Sequence, residues 1–308
     1  MDGAYSWFFA LPFLASMLFL GLPHGAIDHI LYFRGTGRAI TPRRLLVFIG
    51  AYLLFAGCML ALWYLMPLAC LIAFILLTAY HWGEGDAIYE AQRSGFRSRA
   101  FWLLRGIIPM AMPLIFYAST YISVLQSALP NGVEMPASLT ALVASPLLKA
   151  AMLGTVVILI AVTSRQAAAQ LNSSYARRLI LESTMLTVAL LALPPLFAIG
   201  FYFMAWHAWR HIQVSAKIIG EPMQRANGNL SLTGFYRLAW PFTLAALVGI
   251  ALLLAAESRP LYQWQDWIGK YLAALWALTW PHAVICHLIS QRQAQPLRAL
   301  RSHISYAS

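Results

Sequence analysis

"WFFALPFLASMLFLGLPHGAIDHILYF", residues 7–33, decides the fold. It carries no acidic or basic side chain before His24. A bilayer core of about 30 Å is crossed by about 20 apolar residues in a helix, so this run is long enough to span. The rest of the chain repeats the pattern. Of 308 residues, 61% are hydrophobic and only 10% are charged, and the mean hydropathy is +0.68. A soluble domain is roughly a quarter charged; here there are too few polar groups to cover a water-facing surface. The composition therefore predicts an all-α integral membrane protein, a polytopic helical bundle forming a single transmembrane domain over 1–308. The first run is too long for a signal peptide and lacks a basic leader, so it reads as a retained helix.

Working outward, nine apolar runs emerge: 7–33, 45–66, 68–83, 101–124, 146–163, 179–196, 197–210, 238–256 and 267–289. The third, sixth and seventh are short. The sixth and seventh are divided only by Pro194-Pro195. Joined, residues 179–211 would make a helix of about 50 Å, longer than the bilayer core. A tight turn at the two prolines is expected instead, since proline ends a helix.

Charge orients this bundle. Basic loop residues mark the cytoplasmic side. With nine spans and the N-terminus out, that side receives Arg34, Arg38, Arg43, Arg44, Arg93, Arg97, Arg99, Arg105, Arg165, Arg177, Arg178, Arg210, Lys217, Arg225, Arg237, Arg292, Arg298 and Arg301. Only Lys149, Arg259 and Lys270 of the 21 basic residues fall opposite. The expectation is about nine transmembrane helices, N-terminus out and C-terminus in, multi-pass in the cell inner membrane. The net charge of +11 does not make a nucleic-acid surface, because the basic residues sit in short loops between apolar runs. Cys58, Cys70 and Cys286 lie inside apolar runs without paired spacing and read as small buried hydrophobes.

Histidines break the apolar pattern. His24 and His29 end the first run, His81 the third, His207 and His211 the seventh, and His282 and His287 the ninth; His303 is in the tail. All four runs point the same way, so seven histidines are expected at one depth, in the cytoplasmic half. Ionisable groups inside a membrane are functional candidates by default. In "WHAWRH" the i,i+4 spacing puts His207 and His211 on one helical face, as two metal ligands from one helix would require. Neutral imidazole suits zinc, copper, iron and nickel. For His29, His282 and His287 the residues alone leave an interfacial role and a role at the site equally open.

"AYHWGEGD" adds Glu84 and Asp86 after His81. Glu84 falls near the face of His81. Gly83 and Gly85 are expected to end the helix there and to let backbone or substrate approach, and Asp86 to be solvated beyond it. Asp28 follows His24 by four and can orient that ring as a supporting carboxylate, or pair with Arg34 or Arg38. Pro23 and Pro281 each precede a histidine and are expected to kink their helices. Tyr80, Trp82, Phe201, Tyr202, Phe203, Trp206 and Trp280 are candidates for the wall of an apolar pocket, suited to a long flat hydrocarbon. Trp209 is explained by an interfacial aromatic belt.

"PHGAIDH", "HWGEGD" and "WHAWRH", in this order and spacing, resemble the motifs of the Brp/Blh family of membrane β-carotene 15,15′-dioxygenases. The likeness extends to "PHAVICH" near the end of the chain. It implies cleavage of the central double bond of β-carotene by O2 into two molecules of retinal. It implies an iron(II) centre held by His24, His81, His207 and His211. From the residues themselves, Asp28, Glu84, His29, His282 and His287 are candidates for supporting places around it. The implied partners are a carotenoid drawn from the bilayer and O2; an opsin is a candidate to take the retinal. Two other classes fit membrane histidines. A di-iron desaturase or hydroxylase normally needs about eight clustered ligands with His-His pairs, and this chain has no adjacent histidines. A haem carrier or a proton-coupled transporter would show a Soret band or inverted repeats.

Overall fold

A computed structural model describes residues 3–130, 132–255 and 264–305. Among these residues the chain forms nine long helical segments. The first, α1, is assembled from Gly3–Ser16, a π turn Met17–Gly21, Leu22–Ala26 and Asp28–Gly35. There follow α2 (Pro42–Leu65), α3 (Pro67–Ser94), α4 (Arg99–Ala128), α5 (Pro146–Gln170) and α6 (Ser173–Ala192). The seventh, α7, joins Pro195–Tyr202, a second π turn Phe203–Ala208 and Trp209–Ile219; α8 is Leu232–Ala255 and α9 Trp264–Ser305. A short helix, Ala137–Ala144, interrupts the loop before α5. Seven of the segments are long and apolar enough to cross a membrane: α1 to α5, α8 and α9. The other two, α6 and α7, carry Arg177, Arg178, Glu182, Arg210 and Lys217 in shorter stretches.

Local chemistry places the helix ends. Pro42, Pro67, Pro146 and Pro195 occupy first-turn positions, where the missing N–H costs nothing. Side chains of Thr41, Ser98 and Asn172 cap α2, α4 and α6 by accepting a backbone N–H. The break at Pro194-Pro195 falls where the sequence puts it. One expectation fails: α3 does not stop at Gly83 and Gly85 but runs to Ser94, where Gly95 ends it at φ +79°. His81 therefore stands near the middle of its helix. The glycines serve instead for close approach. A Cβ on Gly83 would lie 2.3 Å from the Trp102 carbonyl, and one on Gly106 2.1 Å from that of Ala79. The α3 and α4 backbones touch there. Pro23 sits in the first turn of Leu22–Ala26, just past the π turn that interrupts α1. By contrast, α9 continues as helix through Pro281.

The helices divide by environment. About half of the most apolar stretch of α1, α4 and α9 is buried, whereas α2, α5 and α8 bury little. Leu46, Leu53, Leu54, Leu147, Val157, Ile158, Leu244 and Leu252 all face outward. A surface of this kind is stable only against lipid. Cys58 is on it, not in the core as expected; Cys70 and Cys286 are buried. Two arginines assigned to loops from sequence are inside: Arg105 is fully buried and Arg210 nearly so. Arg259 and the side chain of His303 lie outside the described residues.

The α3–α4 contact yields a test. Gly83→Val and Gly106→Val each force a side chain into backbone and should cost about 3 kcal/mol, the upper end of overpacking effects. Both should lower the melting temperature in detergent, while Gly50→Ala, which meets nothing within 4 Å, should not.

Candidate metal centre

Five imidazoles meet inside the bundle: His24 from α1, His81 from α3, His207 and His211 from α7, and His282 from α9. All five are buried. His24 lies 4.7 Å from His282, 5.1 Å from His211 and 5.8 Å from His207, between ring centroids. His81 lies 4.9 Å from His207 and 4.8 Å from His282. His211 and His282 are 5.2 Å apart. His24, His81 and His282 can each offer a nitrogen within 4.8 Å of the others; so can His211 and His282 together with the Cys286 sulfur.

The π turns help to set this arrangement. One precedes His24 and the other contains His207; such bulges recur at functional sites. The Nδ1 of His24 makes a short contact to the Gly21 carbonyl at the end of its π turn. A carbonyl only accepts, so Nδ1 carries the proton and Nε2 keeps its lone pair. His282 is fixed in the same way, since Nδ1 stands 2.9 Å from both oxygens of Asp28. His211 has Ser215 Oγ at 3.4 Å from Nδ1 and Cys286 Sγ at 3.1 Å from Nε2. His81 and His207 have no hydrogen-bond partner at either nitrogen among the described residues. Buried polar atoms without partners are costly, and a ligand is one explanation for them. Neutral nitrogen donors with little oxygen fit a transition metal rather than magnesium or calcium.

Several sequence expectations change in detail. Asp28 partners His282 and Tyr52, not His24, Arg34 or Arg38. His29 lies apart, bonded to its own turn at Ala26 and packed at a tilt against Phe242. His287 is also outside the cluster: Nδ1 donates to Glu84 Oε1 at 2.7 Å, with the Tyr80 hydroxyl 3.0 Å away. Glu84 thus faces α9 rather than His81. Among the aromatics, Trp82 and Phe203 pack on His207, and Phe203 also on His24. Phe201 and Trp206 pair farther out, and Trp280 packs on Trp276. Tyr202 is committed elsewhere: its hydroxyl donates toward Asp86. Trp209 is partly exposed, as a belt residue would be.

Asp86 is not solvated. It is fully buried and contacts Arg105 Nε at 3.1 Å and Arg210 Nη1 at 3.2 Å. Glu182 of α6 completes the network, with Arg210 Nη2 at 2.6 Å, Trp206 Nε1 at 3.1 Å and a contact to Arg105. Two cations and two anions balance. Sequence reasoning missed this group because Asp86, Arg105 and Arg210 each read as a charge at a helix end or in a loop. Glu182 inside an apolar run was the available signal. Arg210 immediately precedes His211 and Asp86 follows His81 on α3, so the network clamps α7 to α3 behind the imidazoles. Beside them opens a cleft lined by Leu31, Glu84, Ile88, Val214, Ile218 and Ser290. Each lies beyond its helix's histidine in chain order, so the cleft leads toward the C-terminal ends of α1, α3, α7 and α9.

Fold and site together describe a polytopic membrane protein with a buried polyhistidine centre. The family model "Beta-carotene 15,15′-dioxygenase" matches residues 15–290. The chain is 32% identical over 288 residues to the probable β-carotene 15,15′-dioxygenase Blh of Halobacterium salinarum, covering 89% of this chain and 82% of that protein. It is also 32% identical over 119 residues to the β-carotene 15,15′-dioxygenase of uncultured marine bacterium 66A03, covering 39% and 42% of the two chains. No solved structure matches. The chain belongs to the β-carotene 15,15′-dioxygenase family.

Breaking a buried ion pair from one side typically costs about 3–5 kcal/mol. Asp86→Ala leaves two arginines facing Glu182 alone and should destabilise the protein by that order. Thermal unfolding in detergent measures it; an unchanged midpoint would show that the network does not hold α3 and α7 together.

Proposed function

We infer that the imidazole cluster holds one ferrous ion and that the protein uses it, with O2, to cleave β-carotene at its central double bond. Family membership makes the chain a carotenoid-cleaving dioxygenase; the products are two molecules of retinal, each with one oxygen atom. The observation that carries the iron reading is the pair His81 and His207, neighbouring rings buried in the cluster whose four ring nitrogens have no hydrogen-bond partner among the described residues. His24, His81, His207 and His211 are the proposed ligands. Iron, when bound, supplies the one-electron chemistry that lets O2 react with an alkene, which zinc lacks.

The protein's own residues supply position and dryness. The π turns hold His24 and His207 toward each other. Trp82 and Phe203 give flat apolar walls beside the cluster, suited to a conjugated chain. The substrate has no acidic or basic handle, so shape alone fixes which double bond reaches the centre. β-Carotene dissolves in lipid and not in water, so it approaches sideways from the bilayer through the bundle. The Asp86–Arg105–Glu182–Arg210 network keeps the α3 and α7 ligands in register.

Sidedness follows from charge. Arg34, Arg38, Arg43, Arg44, Arg93, Arg97 and Arg99 flank the ends of α1 and α3, toward which the cleft leads. We place that face in the cytosol, with the N-terminus outside, the C-terminus inside and α6 and α7 crossing as a pair, in the cell inner membrane. Ferrous iron then reaches the site from the reduced compartment, and retinal leaves toward the inner leaflet or an opsin.

Expression in β-carotene-producing bacteria tests the activity. Wild type should bleach the orange colour and yield retinal. His24→Ala, His81→Ala, His207→Ala and His211→Ala should each lose cleavage and bound iron, and His29→Ala should keep both. Full activity in any of the four removes that residue from the ligand set. A fluorescent reporter active only in the cytoplasm, fused to Ser308, should light; darkness there with activity of a periplasmic reporter would invert the topology.

A further inference from the structure

We propose that His282 is a fifth metal-holding imidazole, positioned by Asp28 and Tyr52; this rests on reading the cluster as an iron site. His282 is as central as the other four. It is in both groups of donor atoms that close within 4.8 Å, the one with His24 and His81 and the one with His211 and Cys286. Ligand atoms about 2.1 Å from a metal lie at most about 4.2 Å apart, so a small contraction completes either group.

The hydrogen bonds on its far side point the same way. Asp28 accepts from Nδ1, so Nε2 is the lone-pair nitrogen. A histidine that binds a metal commonly donates its other N–H to a carboxylate, which fixes the tautomer and raises the basicity of the ligating nitrogen. The Tyr52 hydroxyl donates toward Asp28 Oδ2 and toward the Leu278 carbonyl, each at 3.3 Å. Thus α2, the most lipid-exposed helix, reaches the centre through one hydroxyl. Packing alone gives no reason for this arrangement, since apolar residues would fill the space without the cost of desolvating a carboxylate. His29 and His287 supply the contrast: their Nδ1 atoms are also bonded, but their rings stand outside the cluster. Charge adds a further argument. Four neutral imidazoles leave a dication uncompensated inside the bundle, and Asp28 behind His282 offsets part of it.

The test uses the full-length protein in detergent under anaerobic conditions. Fe2+ affinity is measured for wild type, His282→Ala, His282→Gln and Asp28→Asn. Asp28→Asn should weaken Fe2+ binding by about 10–100-fold, and His282→Ala by at least as much. Added imidazole should restore tight binding to His282→Ala, whose cavity can admit it, and not to His282→Gln. A packing role predicts no such rescue. Wild-type affinity in folded His282→Ala, or weakened affinity that imidazole leaves unchanged, overturns the proposal. X-ray absorption of iron-loaded wild type counts the imidazoles without any variant: five are expected, and four would overturn the proposal even if His282→Ala fails to fold. Absence of tight Fe2+ binding by wild type would instead sink the iron-site reading itself.

Discussion

Imidazole nitrogens buried in a lipid-embedded bundle must find partners, and most of the architecture around them answers that demand. Water cannot satisfy them as it would at a protein surface, and each unsatisfied nitrogen costs free energy. The structure satisfies some from within. The Gly21 carbonyl accepts a hydrogen bond from His24, and Asp28 accepts one from His282. Among the rest, His24, His81 and His282 bring one nitrogen each within 4.8 Å of one another, with His207 and His211 beside them. A cluster of this kind is unstable as packing and sensible as a binding site. The π turns in α1 and α7, otherwise rare and weak local structure, fit this view: helical regularity yields where the rings have to be aimed.

Holding that cluster requires rigidity that apolar packing alone does not specify. Hydrophobic contact between membrane helices is nearly indifferent to rotation and sliding, because lipid is as apolar as the helix surface. Two devices remove this freedom. The backbones of α3 and α4 touch at Gly83 and Gly106, a fit that a side chain on either residue would spoil. Behind His207 and His211, Arg105 and Arg210 bind Asp86 and Glu182 in a neutral network spread over α3, α4, α6 and α7. Buried ion pairs add little net stability as a rule but fix geometry. Here they sit one residue from His211 and five from His81.

Much of this was legible in the chain. Composition and run length give a helical membrane protein, and nine helical segments form near the nine apolar runs, with the Pro194-Pro195 break in place. Five of the seven histidines expected together, from all four runs, do meet; their place along each run gives a shared depth, while which helices are neighbours is set by contacts that hydropathy does not show. What stayed hidden are pairings between distant helices. Asp28 is four residues from His24, and local spacing suggested that pair; the carboxylate instead meets His282, 254 residues away. Asp86 and Arg105 looked like loop charges because their compensation comes from other helices. Gly83 and Gly85 read as helix breakers on propensity, yet tertiary packing keeps α3 intact to Ser94 and uses their small size. His282 could not be separated from His29 and His287 by sequence, since all three sit near run ends.

The centre described here belongs to a family named for carotenoid cleavage and is built almost wholly from imidazole. We propose that a single iron in this cluster carries out the reaction. Anaerobic titration of metal-free protein with Fe2+, followed by measurement of retinal formed after addition of O2 and β-carotene, tests it most directly. The account predicts that activity rises in proportion to added iron and levels at one equivalent per polypeptide. A plateau at two equivalents, or retinal formation without iron, would contradict it.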